Sequence, residues 1–166
     1  MKSALLLAAA LLLSTPAAAA APKAAAPPAT PPISTAAERA FLAQTAKAPG
    51  VTSLPGIAFS VVTSGPADGA HPRGPDEITV RYKGSLSDGS VFDSSAEGPD
   101  GTATFPLNRL IPGWQAALKL MRPGDRWKIY IPAYMAYGPS AKPKIPADSP
   151  LVFEIELVSF TPPTPQ

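Results

Sequence analysis

Ile78, Val80 and Tyr82 alternate with Thr79, Arg81 and Lys83, and the same two-residue rhythm returns twice further along the chain. Trp127, Ile129 and Ile131 alternate with Lys128 and Tyr130. Leu151, Phe153, Ile155 and Leu157 alternate with Val152, Glu154, Glu156 and Val158. Successive side chains of a strand point to opposite faces, so each stretch reads as a strand with one apolar face and one solvated face. Strands of that kind belong to antiparallel sheets that cover a core from one side. Ile57 to Val62 adds a β-rich segment, and Thr104 to Leu107 a shorter strand candidate.

One helix is available for such a sheet to cover. After Pro112-Gly113, the residues Trp114, Ala117, Leu118 and Met121 fall at i, i+3, i+4 and i+7 and form one apolar stripe. Pro123-Gly124 is expected to stop it. The fold class is therefore α+β: a curved antiparallel sheet wrapped around one short helix. The sequence contains no internal repeat.

The N-terminal third has a different texture. Lys2, the apolar run Ala4 to Leu13, then Ser14-Thr15-Pro16 and an alanine tract follow the pattern of a secretory signal over residues 1–21, with cleavage among Ala17 to Ala21. The run is about half of the roughly 20 residues a membrane-spanning helix needs. No cysteine is present in the 166 residues, which excludes lipidation at a cleavage-site cysteine and any disulfide support. Residues 22–35, nearly all Ala, Pro and Thr, read as an extended tether. Residues 36–50 hold a short helix with Phe41 and Leu42, ended by Pro49-Gly50, either as a cap on the domain or as an isolated arm. Residues 51–162 form the domain, and 163–166 a tail. Net charge is +2 and falls to +1 without Lys2, too near neutral to argue for nucleic acid or an anionic membrane.

The reactive constellations of most enzymes are missing. His71 is the single histidine, set in a loop of turn formers. Without thiols there is neither a cysteine nucleophile nor a thiolate metal site. No glycine-rich phosphate loop leads from a strand into a helix. Neither a metal nor an organic cofactor is expected.

The segment RYKGSLSDGSVFDSS, Arg81 to Ser95, carries most of the functional information. A strand delivers Tyr82, Asp88-Gly89 reverses the chain, and the return strand ends on Phe92 and Asp93. Two rings and a carboxylate arrive together, and a carboxylate beside aromatic surface is costly to desolvate unless something donates to it. Taken singly, each residue has a plainer reading. Trp114, Tyr82 and Phe153 are ordinary core candidates, Asp93 before Ser94-Ser95 is a turn cap, and Tyr137-Gly138 marks a strand end.

Four fragments in order change that balance: Val80 to Ser95; FPLNRLIPGW, Phe105 to Trp114; Ala136-Tyr137-Gly138; and Ile145-Pro146 followed by LVFEIEL, Leu151 to Leu157. Together they resemble the FK506-binding protein family of peptidyl-prolyl cis-trans isomerases, across about Thr52 to Phe160. The resemblance implies a five- to six-stranded half-barrel around the Trp114 helix, with an apolar pocket between helix and sheet. It implies that Trp114 is the pocket floor, that Tyr82, Phe92, Ile111 and Phe153 are walls, with Phe105 and Leu110 beside them, and that Ile145 lies on a loop over the mouth. Asp93 would line one side, and the Tyr137 hydroxyl and the Ile111 N–H would hold a bound carbonyl. Asp93, Tyr137 and Ile111 are thus the expected catalytic groups.

Two departures from the family pattern stand out. Ala103 occupies a position that is often aromatic, so one wall is expected to be lower. The loop Pro139 to Pro150 carries Lys142 and Lys144 where an apolar residue is common before Ile-Pro. Weaker affinity for macrolides of the FK506 and rapamycin type is expected, with a rim that accepts polar or acidic residues near the target proline. The expected role is a monomeric, exported, periplasmic folding helper acting on unfolded or proline-containing polypeptides. The alternative is a module that grips proline segments without catalysis, as a chaperone or adaptor.

Overall fold

The structure is a computed structural model that describes residues 35–98 and 100–163. The signal segment, the tether except Thr35 and the tail except Pro163 lie outside the described residues. The strands are β1 (Val51–Leu54), β2 (Ile57–Thr63), β3 (Glu77–Leu86), β4 (Val91–Ser94), β5 (Ala103–Pro106), β6 (Arg126–Ile131) and β7 (Leu151–Thr161). They form one antiparallel sheet in the order β1-β2-β6-β7-β3-β4, with β5 also paired to β3. Seven strands stand where the family pattern suggests five or six. The β-rich N-terminal segment folds back on itself as the β1–β2 hairpin, and β4 and β5 share the same edge of β3.

The alternation governs the packing. Ile78 and Val80 of β3, Ile129 and Ile131 of β6, and Leu151, Ile155 and Leu157 of β7 are all fully buried. They face α2 (Pro112–Leu118), whose Trp114, Ala117 and Leu118 complete the core. Proline at the first position suits this helix, since that N–H has no intrahelical partner to lose. α2 ends at Leu118, five residues before Pro123. Its last carbonyls are closed by three-residue bonds from Leu120 N–H to Ala117 and from Met121 N–H to Leu118. Met121 is therefore core without being helical.

The opposite face of the sheet carries charge. Glu154 and Glu156 of β7 lie between the basic positions of β3 and β6, with Arg81 Nη1 2.9 Å from Glu156 Oε1 and Arg126 Nη2 3.3 Å from Glu154 Oε2. Such exposed pairs contribute at most about 1 kcal/mol each, but like charges opposite one another are avoided, which favours this register. At one end this face is covered by α1 (Ala36–Ala46). Tyr130 lies between the inward Ile129 and Ile131, and its outward ring meets Phe41 of α1 at 6.4 Å between centroids. The helix is docked on the sheet.

A buried aspartate closes the end of the sheet beyond α2. Asp125 Oδ1 accepts from Gly65 N–H at 2.7 Å and Oδ2 from Arg122 N–H at 2.8 Å, while its carbonyl accepts from Leu157 N–H at 2.9 Å. His71, exposed in its loop, is tethered here too, with Nδ1 3.1 Å from the Met121 carbonyl and Nε2 accepting from Arg122 Nε at 3.3 Å. Asp125→Ala leaves two inward amide donors unpaired and is expected to cost about 2–4 kcal/mol in urea unfolding. A loss below about 1 kcal/mol would show that solvent replaces the carboxylate.

Candidate active site

The hairpin from β3 to β4 is built by a three-residue loop. Gly89 N–H donates to Leu86 O at 3.0 Å, Leu86 N–H donates to Ser90 O at 2.9 Å, and Gly89 has φ 88°. That left-handed position is the one glycine takes without penalty. Asp88 steadies the loop by accepting from both Ser90 N–H and Ser90 Oγ, which holds its carboxyl below the usual carboxylate range. The loop sets the register at which Phe92 and Asp93 return beside Tyr82.

Tyr82 Oη then donates to Asp93 Oδ2 at 2.7 Å, and Asp93 Oδ1 accepts from Ser94 N–H at 2.9 Å. The turn cap falls to the neighbouring serine: Ser94 Oγ accepts from Ala96 N–H at the 3₁₀ turn Ser95–Glu97. Ser95, buried, was not singled out from the sequence, yet its Oγ accepts from Tyr82 N–H at 3.0 Å and donates to Gly101 O at 2.8 Å. Burial pushes the Tyr82 hydroxyl well above the ordinary phenol range, reinforced by its bond to Asp93 and by that carboxylate's charge. Tyr137 is raised as well, chiefly by burial and secondarily by Asp93.

The rings meet around Trp114. Tyr82 and Phe153 both stand edge-on to it with centroids at 5.1 Å, and Phe105 does so at 6.4 Å. Phe92 packs edge-on to Phe153 at 5.6 Å. Gly84 makes the last contact feasible, because a Cβ there would lie 2.6 Å from Phe92 Cζ and 2.7 Å from Phe153 Cε1. Two turns complete the enclosure. Gln115 Nε2 donates to Leu110 O at 2.7 Å, fixing the loop that leads into α2. Ile111, at the N-cap of α2, accepts from Trp114 and Gln115 through its carbonyl, and its own N–H makes no hydrogen bond among the described residues.

These elements enclose an open cavity of about 280 Å³. Tyr82, Phe92, Asp93, Phe105 and Leu110 line it together with Ile111, Trp114, Tyr137 and Phe153. Nine of the ten residues singled out from the sequence are thus brought together. The tenth, Ile145, is 6% exposed and belongs to the core, beneath the tight turn in which Lys142 and Ile145 exchange backbone hydrogen bonds. Ala103 pairs with Val80 and does not line the cavity. Arg109 does line it, exposed and without an ion pair among the described residues. Its position between Phe105 and Ile111 was the available signal. Lys142 Nζ lies 5.6 Å above the ring of Tyr137, so a second cation stands beside one of the lining residues.

A wider depression of about 460 Å³ lies over the charged face of the sheet, lined by Arg81, Lys83, Arg126, Glu154 and Glu156 among others. Its charges largely satisfy one another, whereas the aromatic cavity presents apolar surface with a few convergent polar groups, the character of ligand sites. Among the described residues no cluster of three His, Cys, Asp or Glu is placed to hold a metal, and no helix is long and apolar enough to cross a membrane.

Comparison with known proteins places these features in a family. The family model for FKBP-type peptidyl-prolyl cis-trans isomerase matches residues 69–158. The FKBP-type peptidyl-prolyl cis-trans isomerase FkpA of Aeromonas hydrophila is 41% identical over 124 residues, 74% of this chain and 45% of that protein. The FKBP-type 22 kDa peptidyl-prolyl cis-trans isomerase of Escherichia coli (strain K12) is 45% identical over 122 residues, 72% of this chain and 58% of that protein. The crystal structure of a peptidyl-prolyl cis-trans isomerase from Pseudomonas syringae pv. tomato superposes with a TM-score of 0.69 at 38% identity, covering 75% of this chain and 91% of that one. The chain spans about half the length of the curated relatives it matches.

The raised phenols make alkaline stability a test of this geometry. A folded-state pKa above the unfolded value means that the stabilisation is intact below about pH 10 and is lost as pH climbs through and beyond it, because only the unfolded chain ionises freely. Calorimetry from pH 8 to 11.5 should show Tm falling above about pH 10, with a shallower fall in Tyr82→Phe. Identical slopes would mean that Tyr82 is not shielded as described.

Proposed function

The chain belongs to the FKBP-type peptidyl-prolyl cis-trans isomerase family, and from that membership we propose that it accelerates X-Pro isomerisation in exported, unfolded or partly folded polypeptides. The observation that carries the reading is the aromatic cavity floored by Trp114. At about 280 Å³ and open to solvent, it suits a proline ring with its preceding carbonyl.

Rotation about the X-Pro bond crosses a barrier of roughly 18–20 kcal/mol because the amide loses resonance as it twists. The twisted amide has less charge separation than the planar one, so an apolar site favours it over the ground state. In this reading Trp114, Tyr82, Phe105 and Phe153 grip the proline ring, while the Ile111 N–H and the Tyr137 hydroxyl hold a substrate carbonyl. Asp93 orients. Its oxygens already accept from Tyr82 and Ser94, and the reaction moves no proton, so a general base is not needed. The N-terminal pattern of Lys2, an apolar run and small residues supports export, with the periplasm as the compartment and a monomer as the working form. Macrolides of the FK506 and rapamycin type are proposed ligands of the same cavity.

The charge around the rim bears on sequence preference. Arg109 lines the cavity, Lys142 stands over the Tyr137 ring, Lys144 is exposed two residues further on, and the single carboxylate lining the cavity, Asp93, is engaged. Acidic residues next to the target proline should therefore be favoured relative to neutral ones. In a protease-coupled assay on X-Pro tetrapeptides, Asp93→Ala and Tyr137→Phe are each expected to lower kcat/KM about tenfold or more with the fold intact. Arg109→Gln is expected to lower kcat/KM about threefold for Glu-Pro and little for Leu-Pro, and Lys144→Ile to act in the same direction. No acceleration at micromolar protein, with binding to unfolded chains retained, would favour the non-catalytic module. Unchanged peptide preference in Arg109→Gln would remove the electrostatic argument alone.

A further inference from the structure

Glu38 is 1% exposed, on a helix that lies outside the residues matched by the family model. It stands three residues after Thr35, whose Oγ1 caps α1 by accepting from Glu38 N–H at 3.2 Å. Thr-x-x-Glu is the pattern of a capping box, in which the glutamate reaches back to the N–H of the cap residue. Glu38 does something else. Its Oε1 accepts from the N–H of Ala133, 95 positions along the chain, at 2.6 Å, and Oε2 is buried without a hydrogen-bond partner among the described residues. A carboxylate in this setting is a costly way to dock a helix, since an apolar contact does so without desolvating a charge.

What it holds lies next to the cavity. Ala133 opens the 3₁₀ turn Ala133–Met135, and its carbonyl accepts from Ala136 N–H at 2.9 Å and from Gly138 N–H at 2.8 Å. Those two amides bracket Tyr137. The amide N–H groups of the residues before and after the tyrosine are thus both tied to the Ala133 carbonyl, and Ala133 is tied by its own N–H to Glu38. Beyond Gly138, its carbonyl accepts from Asp148 N–H at 2.8 Å, which leaves Ala133 as the anchor on the sheet side.

We propose that Glu38 is a positioning residue for the isomerase site, and that α1 is a brace which fixes the turn carrying Tyr137 through the Glu38–Ala133 hydrogen bond. This rests on the isomerase reading for its consequence in catalysis, though not for the brace itself. The Tyr137 hydroxyl acts at a fixed distance from a substrate carbonyl, and small displacements of an orienting group are costly to rate. The domain matched by the family model would then work at full rate only with a residue that lies before it.

The test uses the full chain and two readouts. On an X-Pro tetrapeptide, Glu38→Ala is expected to lower kcat/KM about five- to tenfold, and Glu38→Gln, whose amide oxygen still accepts from Ala133, to remain within about twofold of the parent. In a Tyr137→Phe background, Glu38→Ala should cost less than about twofold, because the group being positioned is gone. Amide exchange at Ala136 and Gly138 should quicken about tenfold in Glu38→Ala and stay near parental rates in Glu38→Gln. An equal loss in both backgrounds, or a glutamine variant as impaired as the alanine one, would overturn the positioning role. Unchanged exchange at Ala136 and Gly138 would overturn the brace. A parent chain with no isomerase activity would remove the functional reading, and the exchange rates would still decide whether the brace exists.

Discussion

The indole of Trp114 is the contact on which the rest depends. It ties α2 to the sheet, since Tyr82 comes from β3 and Phe153 from β7, and both stand edge-on against it. Edge-to-face pairs add about 0.5–1.5 kcal/mol each beyond burial, so these rings fix the spacing between helix and sheet as well as filling it. The site is therefore an opening in the core itself. The same indole that closes the interior on one side is the floor of the cavity on the other, and the geometry of the cavity is as rigid as the packing beneath it.

A site made this way suits a reaction in which no bond is formed or broken. The cavity contains a carboxylate and two phenols, yet they are arranged to stay as they are. Tyr82 and Asp93 satisfy each other, and burial raises the hydroxyls of Tyr82 and Tyr137 above the ordinary phenol range. The polar groups hold fixed partial charges against apolar walls, where they act more strongly than in bulk water. Preorganisation here lies in the hairpin loop at Asp88-Gly89, the Ser95 bridge behind Tyr82, and the glutamine that pins the loop before α2.

How much of this is legible in the sequence follows from the range of each interaction. Alternation in β3, β6 and β7 is local, and the buried faces of those strands follow it residue by residue, with Val152 buried on the outer face as the exception. The stripe on α2 reads one turn too long, because Met121 keeps the helical spacing in a turn that is no longer helical. The gathering of Tyr82, Phe92 and Asp93 is encoded by one hairpin. Ser95, Arg109 and Glu38 escape such a reading for a common reason. Ser95 carries no pattern that distinguishes it from surface residues, Arg109 has only its place between Phe105 and Ile111, and the partner of Glu38 is 95 positions away, while its nearest sequence signature points to a local cap.

The position of β7 in the sheet has a bearing on how the chain reaches this form. β7 is central, paired along its length with β6 on one side and β3 on the other, and it runs to Thr161. The pairing of Glu77 with Thr161 closes a long stretch of chain, so the middle of the sheet rests on contacts far apart in sequence. Folds dominated by such pairings form slowly. During synthesis, β3 and β6 lack their shared neighbour until β7 has emerged, and the core that all three build cannot precede it. A polypeptide built to this order keeps the two halves of its sheet apart until β7 enters between them, so one late strand decides when the interior closes.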